Sequence, residues 1–369
     1  MNFSEKISAI EQNNLLRIRK IAQSAQSTEM LIDGNKIINF CSNDYLSLAD
    51  HPQVKEALID GINRFGTGSG ASHLVSGHSE AHHQLEEQLA EHLGQQRALL
   101  FSSGYSANLG VFSALRDDIE WTLQDKLNHA SLIDGNRLIG LPVKRYLHNN
   151  IDSLKAKLKK RNGKGLVVTD HVFSMDGDQA DLDQIDAIID KPNTLLMQDD
   201  AHGFGIFEPN IPNQSIYMAT LGKAAGLMGA FVSGEEDFIE FLIQKSRPYI
   251  YTTAISPAIC VAAVKSLELI KKGEQKEKLF SNISYFRSCA DSLKLEFEHS
   301  QSAIQPLIVG SSDKALNYSS RLFQAGFFVS AIRPPTVPPN TARLRFTLSA
   351  NHNFQQIESL LQNVKDVMA

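Results

Sequence analysis

From about residue 46 to residue 255, short apolar runs alternate with amphipathic stretches, and this period restricts the fold more than any other feature. The apolar runs are ALLFSSG (98–104), GLVVTD (165–170), TLLMQDD (194–200) and GAFVSG (229–234). Strands that read as nearly continuous apolar segments are buried on both faces, and strand-helix alternation covers those faces with helices. In EAHHQLEEQLAEHLG (80–94), Leu85, Leu89 and Leu93 form one stripe that stops at Gly94, the expected helix end. The pattern predicts an α/β fold with a mostly parallel central sheet flanked by helices.

The flanks read differently. EKISAIEQNNLLRIRKIA suggests a helical arm, and MLIDGNKIINF a hairpin turning at Asp33 and Gly34. After a long helical stretch over 256–295, the order IQPLIVG (304–310), helix, FFVSAI (327–332), RLRFTLS (343–349), helix predicts a smaller C-terminal α+β domain. The expected division is therefore an arm and hairpin over 1–45, a large α/β domain over 46–255, and a linking helix with the small domain over 256–369.

Composition excludes some functions. A net charge of −5 argues against nucleic acid as a partner, because phosphate backbones demand a basic face. Cys41, Cys260 and Cys289 lie far apart, so neither a disulfide framework nor a zinc knuckle is indicated, which suits a reducing cytoplasm. No apolar run reaches membrane-spanning length and the N-terminus lacks a signal-like core, so a cytoplasmic protein away from membranes is expected.

In open α/β sheets, ligands bind at the carboxyl ends of strands. After ALLF comes Ser102-Ser103-Gly104-Tyr105, a turn opening a helix whose free N–H groups could meet a phosphate or merely connect two elements. After TLLMQ come Asp199 and Asp200, which serve either a ligand or helix capping. Lys223 is the lone cation in the small-residue run MATLGKAAGLMGAF (218–231), and it either snorkels to water or acts as a nucleophilic amine. His78 and His82 are spaced i, i+4, but HSEAH is not HExxH and no further ligand motif follows, so no metal is expected. GTGSG (66–70) lacks the spacing of a dinucleotide fingerprint. The basic run KAKLKKRNGKG (155–165) reads as a helix end, with a docking patch for an acidic carrier protein as the alternative.

The ordered set SNDYLSLADHP (42–52), GTGSGASHLVSGH (66–78), FSSGYSANLGV (101–111), LNHASLIDG (127–135), VFSMDGD (172–178), DDAHGFG (199–205), TLGKAAG (220–226), YIYTTA (249–254) and AIRPPTVPPNTARLRFTLSANH (331–352) resembles the α-oxoamine synthases. These are pyridoxal-phosphate (PLP) enzymes of fold type I. The resemblance implies PLP as cofactor, Lys223 as the lysine that carries it, Asp199 beside its ring nitrogen, His202 at its phenolic oxygen, and His129 stacked on its ring and touching substrate. It also implies Gly104 and Tyr105 near the phosphate, Ser174 and Thr220 as further cofactor contacts, and Thr252 or Thr253 supplied by a second subunit of a homodimer. Arg345 is the expected partner of the amino-acid carboxylate, with Arg17, Thr336 and Arg333 as further substrate contacts. The implied substrates are L-alanine and a pimeloyl thioester, carried by acyl carrier protein or coenzyme A.

The alternatives are another α-oxoamine synthase with a different amino acid or acyl group, such as a glycine C-acetyltransferase or an aminoketone signal synthase, an aminotransferase, or a non-catalytic partner subunit. The sequence departs from the family pattern at His73 and in a short segment over 203–219, both expected to bear on the acyl pocket.

Overall fold

The computed structural model describes residues 1–369 and divides into two compact units. The larger comprises His51–Ser174 and Gln179–Gly273, and the smaller comprises Met1–Asp50, Met175–Asp178 and Glu274–Ala369. This corrects the expected boundaries. The arm and hairpin are not a separate domain, because the strand Asn35–Asn39 pairs with Phe327–Phe328 in the smaller unit. The helix Pro257–Lys272 belongs to the larger unit, where it packs on Pro52–Phe65. That packing is close enough to require Gly61, since a Cβ there would lie 2.7 Å from Ala258 Cα.

The larger unit is built on a seven-stranded sheet in the order Arg97–Phe101, Ala230–Gly234, Ile216–Thr220, Thr194–Asp199, Gly165–Asp170, Trp121–Asp125, Arg145–Tyr146. Ala230–Gly234 runs antiparallel to both neighbours, and the remaining pairs are parallel. Every residue of Gly165–Asp170 is buried. Alternation sends Leu166 and Val168 to one apolar layer with Phe112, Leu132 and Met197, and Val167 to the other with Leu123, Leu154 and Leu196. Each fully buried side chain of this kind contributes about 1.5–3 kcal/mol. The helix Glu80–Leu93 ends as expected at Gly94, with φ +62°.

In the smaller unit, Asp33 (φ +49°) and Gly34 (φ +79°) turn the antiparallel hairpin Glu29–Ile32 and Asn35–Asn39. The expected helical arm is shorter than its apolar spacing suggested: it stops at Gln12, and Asn14 is left-handed (φ +56°). Arg17 therefore lies outside the helix. FFVSAI splits into Phe327–Phe328, which joins the hairpin, and Ser330–Ile332, which pairs with Ala342–Thr347 beside Ile304–Gly310. The long helical stretch is two helices, Pro257–Lys272 and Glu274–Ser292, broken at Gly273 (φ +79°). No helix is long and apolar enough to cross a membrane.

Candidate active site

The strands Gly165–Asp170 and Thr194–Asp199 end side by side, with Asp170 in register with Asp199. Successive side chains of a strand face opposite ways, and this separates the two adjacent aspartates. Asp200 is buried and accepts from Tyr217 Oη at 2.8 Å, and its Oδ1 lies 2.7 Å from His171 Nδ1. Asp199 accepts from Asn108 Nδ2 at 2.8 Å and from the Ala201 N–H at 3.0 Å, and it lines a pocket. One carboxylate is therefore committed to internal partners, and the other lines the pocket.

That pocket, of about 190 Å³, gathers Gly104, Tyr105, His129, Ser174, Asp199, His202, Thr220 and Lys223 from five separated stretches of the larger unit. Gly104 and Tyr105 open the helix Gly104–Leu115, whose N-cap Ser103 accepts the Ser106 N–H at 3.1 Å. Their own N–H groups have no intrahelical partner. The Tyr105 hydroxyl donates to Asp134, which holds the Asp134 carboxyl below its usual range.

Lys223 is half-buried on the loop joining Ile216–Thr220 to Ala230–Gly234. Backbone bonds from Leu221 to Gly229 and from Leu227 to Leu221, both 2.9 Å, fold the loop back on itself, with Gly226 (φ +71°) making the turn. Thr220 Oγ1 donates to the Gly229 carbonyl at 2.9 Å, so it braces this loop as well as lining the pocket. The small-residue run around Lys223 thus joins two strand ends through a tight loop in which Ala224 and Ala225 are buried.

His129 caps the helix Ala130–Leu138, and its backbone N–H donates to Asp170 Oδ2 at 2.7 Å. Burial lowers its pKa against the pull of Asp199, and the Lys223 charge acts with burial, so the neutral ring is favoured. Asp170 is pushed well above the usual carboxylate range by burial and by the Asp199 charge. Asn108, Ser131 and Asp170 were missed as site residues. Asn108 and Ser131 stand inside motifs that carried the resemblance, and Asp170 ends a strand just as Asp199 does.

The remaining expected residues lie elsewhere. Thr252 and Thr253 are exposed and border a small recess with His73 and Tyr249. In the smaller unit, Arg345 is buried in Ala342–Thr347 and donates to Asn43 Oδ1 at 3.3 Å and Tyr45 Oη at 3.4 Å. Arg333 donates to the carbonyls of Asn14 and Leu16, next to exposed Arg17, and Thr336 N–H closes a turn on the Arg333 carbonyl at 3.0 Å. Arg343, which the sequence reading passed over, pairs with Asp176 at 2.5 Å and secures the 175–178 segment.

The histidines near residue 80 divide by environment. His82 is fully buried, with Nδ1 on the Ser79 N–H at 3.0 Å and Nε2 on the Ile255 carbonyl at 2.8 Å. His73 is buried, stacked on Tyr249 and 3.0 Å from His78, and is held near pKa 3 by burial and by His82 and His78. His78, His83 and Glu86 offer ligand atoms within 4.8 Å of one another, a grouping that the i, i+4 spacing did not indicate.

The donor set of the Lys223 pocket fits PLP. A primary amine suits its aldehyde, a buried carboxylate fixed by two N–H donors suits its ring nitrogen, and helix-start N–H groups suit its phosphate. The model of the class I and II aminotransferases matches residues 35–364. The 8-amino-7-oxononanoate synthase of Methylococcus capsulatus is 48% identical over 98% of this chain and 97% of its own, and that of Saccharophagus degradans 47% over 99% and 96%. Among solved structures, an 8-amino-7-oxononanoate synthase from Francisella tularensis superposes with a TM-score of 0.78 at 32% identity, covering 89% of this chain and 97% of its own. A serine palmitoyltransferase from S. paucimobilis with PLP and myriocin bound superposes with a TM-score of 0.92 at 26% identity, covering 99% and 96%. The backbone is thus common to enzymes of differing substrate, whereas side-chain identity near one half is shared with one activity; the chain belongs to the PLP-dependent class I and II aminotransferase family and, within it, to the 8-amino-7-oxononanoate synthases.

Proposed function

We propose that this chain condenses L-alanine with a pimeloyl thioester, releasing the thiol carrier and carbon dioxide, as a cytoplasmic homodimer. The observation that carries this reading is the convergence of Lys223, Asp199 and His129 on one pocket, in a chain 48% identical to an 8-amino-7-oxononanoate synthase. When bound, PLP supplies an electron sink for negative charge at the amino acid's Cα.

The protein supplies attachment, orientation and proton transfer. Lys223 holds the cofactor through its Nζ and, once released, takes the proton from the alanine Cα and later returns one. Asp199 keeps the ring nitrogen protonated, which requires a carboxylate that cannot turn away, and its bonds to Asn108 and Ala201 support that demand. His202 serves the phenolic oxygen. Gly104 and Tyr105 hold the phosphate end, Ser174 and Thr220 make further cofactor contacts, and Thr252 or Thr253 of the partner subunit adds another. His129 covers the ring face and meets the substrate. Arg345 takes the alanine carboxylate as a planar cation, Arg333 serves the far carboxylate of the pimeloyl group, and Arg17 and Thr336 are further substrate contacts.

Incubating the PLP-loaded protein with L-alanine and pimeloyl-coenzyme A or the pimeloyl carrier protein, followed by mass spectrometry, tests this. Formation of 8-amino-7-oxononanoate with L-alanine but not glycine is expected. Product from L-serine and a long-chain thioester instead would favour the activity of the serine palmitoyltransferase that shares the backbone.

A further inference from the structure

His129 has two ring nitrogens, and its tautomer decides whether it offers the pocket a donor or an acceptor. The surrounding hydrogen bonds make that choice. Asp199 as a carboxylate only accepts, so the Asn108 side-chain atom 2.8 Å from Asp199 Oδ2 is the amide nitrogen. The same nitrogen lies 2.8 Å from Ser131 Oγ, which commits both amide hydrogens. Turning the amide over would set its oxygen against the carboxylate. The orientation is kept although Asn108 Oδ1 is buried without a partner.

Ser131 Oγ therefore accepts from Asn108, and its own hydrogen is left for His129 Nδ1 at 2.7 Å. The Ser131 backbone N–H points to the same nitrogen at 3.3 Å. Two donors converge on Nδ1, so the proton of the neutral ring sits on Nε2. Asp170 holds the His129 backbone at 2.7 Å, which fixes the ring's point of attachment.

We propose that Asn108 and Ser131 are positioning residues that lock His129 in its Nε2–H tautomer, so that His129 serves the condensation as a hydrogen-bond donor to a substrate oxygen and not as a proton acceptor. The relay also ties the orientation of His129 to that of Asp199 through one amide. This inference rests on the pocket's being the acyl-transfer site.

The test is nitrogen NMR of the PLP-loaded protein with labelled histidine, the His129 signals being assigned by their loss in His129→Gln. The wild type is expected to show Nδ1 bare and Nε2 protonated. Ser131→Ala should shift the ring population toward Nδ1–H and lower kcat about tenfold with KM for L-alanine little changed, and Ser131→Thr, which restores the hydroxyl, should recover both. A protonated Nδ1 in the wild type, or an unchanged tautomer population in Ser131→Ala, overturns the proposal. Should Ser131→Ala fail to fold, the wild-type spectrum alone decides. The spectrum needs no turnover, so failure to form product would count against the functional reading while the tautomer is still measured.

Discussion

The two ends of the seven-stranded sheet both carry cavities, and they differ in kind. At the carboxyl ends lies the Lys223 pocket, about 190 Å³, with polar groups such as Asp199, His129 and Thr220 oriented by hydrogen bonds. At the amino ends, Trp121 and Thr194 border a cavity of about 450 Å³ with Lys155, Lys159, Arg161 and Asp190. The larger cavity takes its charge from long side chains near one helix end, and Arg161 Nε has no partner there. Size does not locate chemistry; groups aimed at one point from separate strands do.

Breaking the carboxyl end should give the largest effects. Lys223→Ala is expected to reduce turnover by at least about 1,000-fold and to remove the covalent cofactor absorbance band. A variant with near-normal activity would overturn the assignment. Asp199→Asn keeps the shape but not the charge, and kcat should fall about 100-fold with folding intact by circular dichroism. A loss confined to KM would mean that Asp199 only anchors the ring.

Asp200 is one residue away and should behave differently. Asp200→Ala strands the buried Tyr217 hydroxyl and His171 ring, a stability cost of about 3 kcal/mol measured by urea unfolding. For His171, burial opposes the charged form, but the Asp200 hydrogen bond and charge prevail and raise its pKa above 6.5. The raised value means that this stabilisation is complete below pH 6.5 and is lost as pH rises through the folded-state pKa. In Asp200→Asn that part of the pH dependence should flatten, and a melting profile across that range that matches the wild type would show that the pair does not contribute.

The same contrast explains what was legible in the sequence. Gly165–Asp170 and Ile304–Gly310 were read at their observed bounds because burial on both faces, or clear flanking turns, leaves a local signature. The strand Trp121–Asp125 carries no apolar signature because Thr122, Gln124 and Asp125 are polar yet buried, with Thr122 Oγ1 and Gln124 Nε2 bonded to Asn136 and Leu132 of a neighbouring helix. Likewise the pocket-lining groups stood in quotable motifs, and the His129–Ser131 contact is local to one helix start, whereas the Asn108–Ser131 link joins two helices and no spacing encodes it. Spacing alone did not separate the two adjacent aspartates; the resemblance implied Asp199, and it is Asp199, not Asp200, that lines the pocket.

The smallest expected effect concerns the basic run. As a docking surface for an acidic carrier protein, Lys155, Lys159 and Arg161 would have to deliver an acyl group to the Lys223 pocket. They lie at the amino ends of strands whose carboxyl ends form that pocket, and a six-residue strand puts about 20 Å of buried sheet between the two. A tether would have to run around the sheet edge, whereas the carboxyl ends open directly on the chemistry. Changing all three to glutamate should therefore leave kcat/KM with the pimeloyl carrier protein within about twofold, in line with surface charges that make no specific contact. A fall with the carrier-linked substrate but not with pimeloyl-coenzyme A would move the docking surface to the amino end and dissolve the contrast between the two cavities.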